Sequence, residues 1–177
     1  KIVAACFPEE TYWRKGELDL SQLTALMFIC ADSNQLTELD VSNNPQLTEL
    51  WADNNELTEL DVTNNPELTL LVVGDNQLTE LDVSNNPELT RLWANNNQLT
   101  ELDVTNNPEL TSLTVRDNQL TELDMSNNPE LTELWVSDNQ LTELRFSDKT
   151  HLKMHSLNIT IPTDMKFNKV KGCYTNE

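Results

Sequence analysis

The groups in this 177-residue chain that could do chemistry are two histidines, three cysteines and 30 acidic side chains. His151 and His155 would be the start of a zinc site, but no Cys or carboxylate stands at a spacing that completes the ligand set. No nucleophile and base fall into a catalytic pattern, and three glycines leave little scope for a phosphate-cradling loop. Clustered carboxylates suit hard cations, so rows of them would make a low-affinity Ca2+ surface; a dedicated D-x-D-x-D-G loop is absent. Against 11 basic residues the acids leave a net charge of −19, which argues against nucleic-acid backbones and anionic membranes as partners. No apolar run approaches the ~20 residues that a spanning helix needs. Lys1 to Phe7 is too short to read as an export signal. Three cysteines are too few for a disulfide scaffold. The chemistry therefore points to no enzyme, no metal and no cofactor.

The elements that would position these groups are set by an internal repeat. Leu36, Leu57, Leu78, Leu99, Leu120 and Leu141 recur every 21 residues, as do Leu26, Leu47, Leu68, Leu89, Leu110, Leu131 and Leu152. The unit from Leu47 to Glu67 reads LTELWADNNELTELDVTNNPE, two halves of the form L-x-x-L-x-(A/V)-x-x-N. Its first half supplies Leu47, Leu50, Ala52 and Asn55; its second supplies Leu57, Leu60, Val62 and Asn65. Period-two alternation near the centre turns Leu50 and Ala52 inward and Glu49, Trp51 and Asp53 outward. One coil per repeat then stacks every Leu on its counterparts. The Asn closing each half can satisfy backbone groups at the corners that would otherwise be buried unpaired. Pro45, Pro66, Pro87, Pro108 and Pro129 follow Asn pairs and fix the turn.

The pattern LTELDVSNNPxLTELxxxxNQ resembles the 21-residue leucine-rich repeats of internalin J-like bacterial surface proteins, over roughly Leu18 to Leu157. The resemblance implies a right-handed solenoid of about seven coils. First halves form a parallel sheet, second halves are extended and irregular, and helix is confined mainly to an N-terminal cap. Where that family carries a cysteine ladder, this chain has Ala31, Ala52, Val73, Ala94, Val115, Val136 and Leu157.

Back-projection of the register places Leu18 and Leu20 under Leu39 and Val41. Residues 1–17 then form an N-terminal cap, 18–151 the repeats and 152–177 a C-terminal cap or the start of a following region. Pro8 to Lys15 reads as a short helix, with Pro in its first turn and bases at its end. Met125 and Phe146 enlarge the second-half core position to fill the last layer. His155 falls where Leu134 sits one coil earlier, with His151 exposed. Residues 36–148 carry 23 acids and 3 bases, whereas 149–177 carry 2 acids and 5 bases. Cys6 in the cap and Cys30 on the first coil would form a bridge stapling cap to repeats, leaving Cys173 unpaired or bonded outside the chain. Asn158-Ile159-Thr160 is a glycosylation sequon, meaningful only in a eukaryotic secretory route.

The repeat presents two outward surfaces. On the second halves Glu38, Glu59, Glu80, Glu101, Glu122 and Glu143 are identical, and Asp40, Asp61, Asp82, Asp103 and Asp124 follow them until Arg145 breaks the row. Like charges stacked at ~4.8 Å cost energy, so the plain reading is a solvated face that opposes aggregation. A Thr ladder beside it (Thr37 to Thr142) is spoiled as an ice-binding array by the adjoining Glu row.

On the first halves the outward residues vary from coil to coil. Three of the four Trp lie there: Trp51, Trp93 and Trp135. Around them stand Glu49, Asp53, Leu70, Val72, Arg91, Asn95, Thr114, Arg116 and Glu133, and these twelve are the candidate partner-binding residues. Exposed Trp and Arg commonly anchor interfaces. The bland alternative is that the indoles merely pack on Val72 and Thr114 to cover the sheet.

The expected function is non-catalytic recognition of a protein, a host surface protein being one candidate, by a module secreted or displayed by a bacterium. The internalin-like resemblance implies that location. Two further readings stand beside it. One is a glycan-binding module whose Trp stripe, stepping about 9.5 Å, stacks on successive sugars. The other is a spacer within a larger surface protein.

Overall fold

The computed structural model describes residues 4–6, 16–18, 20–146, 158–160, 166–168 and 173–175. The helix expected over 8–15 lies outside them, as do His151 and His155. Among the described residues there are short strands and no helix. In chain order the strands are β1 (Ala4–Cys6), β2 (Gly16–Leu18), β3 (Phe28–Cys30), β4 (Leu36–Leu39), β5 (Glu49–Trp51), β6 (Leu70–Val72) and β7 (Arg91–Trp93). There follow β8 (Ser112–Thr114), β9 (Glu122–Met125), β10 (Glu133–Trp135), β11 (Glu143–Phe146), β12 (Asn158–Thr160), β13 (Lys166–Asn168) and β14 (Cys173–Thr175). No described helix is long and apolar enough to cross a membrane.

The first halves build one parallel sheet in the order β1-β3-β5-β6-β7-β8-β10-β12. Its register runs Ile29, Leu50, Leu71, Leu92, Leu113, Leu134 without a slip, and each of these side chains is fully buried. Second halves are extended without ladder pairing in the middle of the solenoid. They become strands at its ends, where β2 pairs with β4 and β9 with β11. Leu18 lies beside Leu39, and both are buried.

Two features of the ends differ from the sequence expectation. The N-terminal segment contributes β1, which adds to the sheet beside β3. At the other end the seventh coil does not keep the period: β12 sets Ile159, not His155, beside Leu134, a step of 25 residues. An imidazole stacked on Leu134 would need a buried polar partner, a cost that the longer step avoids. Asn158 therefore neighbours Glu133 and Thr160 neighbours Trp135, where an unbroken 21-residue period would have set Ser156 beside Trp135. Beyond it β14 lies antiparallel on β11, with β13 outside.

Two asparagine ladders close the corners, and they do so differently. In the first-half row Asn97 donates to the carbonyls of Val73, Ala94 and Asn95, and its Oδ1 accepts the Leu78 N–H at 2.9 Å. Asn55, Asn76 and Asn118 repeat the scheme. The residue just before each of these Asn has a positive φ between 48° and 56°: Asn54, Asp75, Asn96 and Asp117. Asn and Asp tolerate that region better than other non-glycine residues. In the second-half row Asn107 donates to Val83 and Asn86 carbonyls, both at 2.9 Å, but its buried Oδ1 has no partner. A Thr row adds a third ladder: the hydroxyls of Thr69, Thr90 and Thr111 each donate to the carbonyl of the Thr one coil back.

Candidate recognition face

The acidic rows have a structural job in part. Each Asp of the second row accepts the backbone N–H two residues on: Asp40 from Ser42, Asp61 from Thr63, Asp82 from Ser84, Asp103 from Thr105 and Asp124 from Ser126. This Asx turn was legible as the D-x-(S/T) step in the five coils from Asp40 to Asp124. The hydroxyl and backbone N–H of Thr63 hold the Asp61 carboxyl below its usual range, and Ser84 does the same for Asp82. Between the Asp and Glu rows runs a groove of about 1150 Å³ floored by Leu39, Leu60, Leu81, Leu102 and Leu123. Arg145 closes its end, reaching Glu143 at 2.7 Å and Asp124 at 3.5 Å. No group of three His, Cys, Asp or Glu side chains among the described residues is placed to hold a metal ion.

The variable face lies on β3, β5 to β8 and β10. Short strands fix its side chains in two rows: Glu49–Leu70–Arg91–Ser112–Glu133, and Trp51–Val72–Trp93–Thr114–Trp135. Beyond the strand ends Asp32, Asp53, Gly74, Asn95, Arg116 and Ser137 form a third. The residues predicted for the site thus share one surface, but they are not equally available. Leu70 is 8% exposed and Val72 4%, so neither offers a partner much area. The reason at Val72 is its flanking indoles. Trp51 and Trp93 meet edge to face across it, with ring centroids 6.3 Å apart at 78°. Between Trp51 and Trp93 the expected 9.5 Å spacing is corrected: a small valine lets the rings lean together, and they gain a quadrupolar contact by doing so. The Trp51 Nε1–H also donates to Glu49 at 3.4 Å.

One coil further on, the surface opens. Ser112 occupies the position held by Leu70, and the smaller side chain leaves a notch of about 340 Å³ lined by Arg91, Trp93, Thr111, Ser112, Thr132 and Glu133. The Ser112 hydroxyl donates to Glu133 at 3.0 Å and fixes that carboxylate on the rim. Arg91 on the other rim is exposed and, like Arg116, makes no ion pair among the described residues. Ser112 was missed as a site residue; the change from Leu70 at an equivalent position was the available signal.

Along the third row the carboxylates crowd. Burial pushes the Asp32 carboxyl up; burial first, then the charges of Asp75 and Asp32, pushes up Asp53. Gly74 has room for no side chain without displacing them, since a Cβ there would lie 2.5 Å from Asp53 Oδ1 and 2.9 Å from Asn95 Oδ1.

No family model matches the chain, and no curated protein does. Solved structures match over most of its length. The functional domain of InlJ (internalin J) from Listeria monocytogenes, described as including a cysteine ladder, is 44% identical over 82% of this chain, with a TM-score of 0.75. A leucine-rich-repeat protein of Leptospira interrogans is 25% identical over 80%, with a TM-score of 0.68. An internalin (InlF) from Listeria monocytogenes is 31% identical over 80%, with a TM-score of 0.58. The chain spans 31% of the first of these and 38% of each of the others.

Proposed function

Because the chain is a leucine-rich-repeat protein with 21-residue coils like those of internalin J, we propose that it is a non-catalytic module that recognises a protein partner. Secretion or display on a bacterial surface belongs to the same reading, by likeness to the internalins. The observation that carries it is the contrast between an unvarying scaffold and one varied stripe, at whose centre the notch sits between Arg91 and Glu133. Arg91 offers a bidentate donor to an acidic group, Glu133 an acceptor to a basic one, and Trp93 an apolar wall between them. An edge-to-face Trp pair presents no evenly stepped flat platforms, which favours a protein over a glycan as the occupant.

The test uses partners captured from host surface extracts on the intact protein. Ser112→Leu fills the notch with the residue that the chain itself carries at Leu70, so folding is preserved by internal precedent. Ser112→Leu and Trp93→Ala should each weaken the captured interaction at least tenfold, and Glu80→Ala should change only its salt dependence. Loss of binding in Glu80→Ala or Glu101→Ala with Trp93→Ala unaffected would move the site to the acidic groove.

A further inference from the structure

We propose that Cys6 and Cys30 form a reversible disulfide that latches the N-terminal strand onto the first coil. The two are register partners on adjacent parallel strands, β1 and β3. Such strands run ~4.8 Å apart, within the ~4.4–6.8 Å between Cα atoms that a disulfide spans. Both thiols are free, Cys6 exposed and Cys30 half-buried. Parallel strands carry their side chains abreast, so closing the bond makes β1 lean, and a strained bridge is an easily reduced one.

A latch matters here because β1 is weakly held. Of its three residues only Ala5 packs on the core, and only in part. A strand with so little of its surface packed on the core opens locally at low cost. Detached, β1 would uncover the edge of β3.

The oxidant is a small-molecule or protein disulfide, glutathione disulfide serving as the type. The accessible Cys6 thiolate attacks one glutathione sulfur and expels one glutathione thiolate. Cys30 then attacks Cys6 Sγ in the mixed disulfide and expels nothing but the second glutathione thiolate. Two cysteine thiols are oxidised, one glutathione disulfide becomes two thiols, and the two cysteine protons pass to the leaving groups. Burial and the neighbouring Asp32 push the Cys30 thiol up, which lowers its thiolate fraction; its attack in the second step relies on the strand pairing that sets Cys30 beside Cys6. Cys173, on β14 beside β11, stands in a different sheet.

The experiment takes the full chain carrying Cys173→Ser through glutathione buffers of rising oxidation. It reads thiol alkylation and linked peptides by mass spectrometry, with amide exchange in β1. Expected are a peptide pair joined through Cys6 and Cys30, and at least tenfold greater protection of β1 amides when oxidised. Dithiothreitol should reverse both, and adding Cys30→Ser should abolish both. Two alkylatable thiols in excess glutathione disulfide, a stable mixed disulfide at Cys6, or a bridge that leaves β1 exchange unchanged would each overturn the proposal.

Discussion

Asn97→Ala should destabilise the protein more than Asn107→Ala, although the two residues look equivalent in the repeat and each is lost from a middle coil. Both truncations remove the same atoms and leave comparable holes. They differ in what is stranded. Without Asn97 the buried Leu78 N–H, bonded at 2.9 Å, has no acceptor. The carbonyls it served keep others: Val73 retains Asn76, and Ala94 retains Asn118. Without Asn107 no donor is stranded, because its Oδ1 accepts from none, and the Val83 and Asn86 carbonyls still accept from Asn86 N–H and Leu89 N–H at 3.1 Å. That truncation also removes an Oδ1 that has no partner. An orphaned buried donor costs about 1–3 kcal/mol, and this sets the expected gap between the variants. Urea unfolding followed by Trp fluorescence measures it, with amide exchange at Leu78 as a local check. Equal midpoints, or a larger loss in Asn107→Ala, would refute the argument and mean that the two donated bonds outweigh the stranded one.

Leu92→Ala, fully buried between Leu71 and Leu113, should cost about 2–5 kcal/mol, while Glu101→Ala on the acidic row should cost nothing or stabilise slightly; thermal melts of the pair check the inside–outside register. Asp53→Asn should raise the melting temperature at pH 7, since burial and neighbouring charge hold that carboxyl above its unfolded value. The sign follows from proton linkage: the native state keeps the proton more tightly, so ionised Asp53 costs stability above its native pKa, and the cost disappears as pH falls toward the unfolded value of ~3.9. A gain that persists undiminished at pH 3 would show that charge is not its cause.

The period carried most of the fold in plain view, because an apolar residue fixed at every 21st position leaves one inside–outside register for Leu50, Leu71 and Leu92. It failed at the end, where extrapolation reached His155 and the chain went on to Ile159. The two Asn rows read alike because the pattern records residue type and not corner geometry. A left-handed residue precedes Asn97 and turns its amide toward the Leu78 N–H, whereas the turn at Asn107 uses that residue's own N–H and carbonyl. The candidate face was legible as a row of variation. The Trp51–Trp93 contact was not, since it depends on how little space Val72 fills between two flexible rings. The Ser112 notch was equally hidden: it is a difference in volume between neighbours, which hydropathy alone does not register.

The sheet's hydrogen bonds run from coil to coil, along the axis of the stack, while the chain runs across it. Tension applied between the two ends of the solenoid would therefore load one coil's bonds at a time, as a zipper is loaded, instead of shearing a whole sheet at once. Each coil that peeled away would release 21 residues, a length of about 70 Å of extended chain, for the bonds of a single layer. The remaining coils would keep their contacts, because each leans only on its neighbours. A molecule built this way lengthens in equal steps under load and shortens by re-stacking, with the varied stripe on its unpeeled coils still in register.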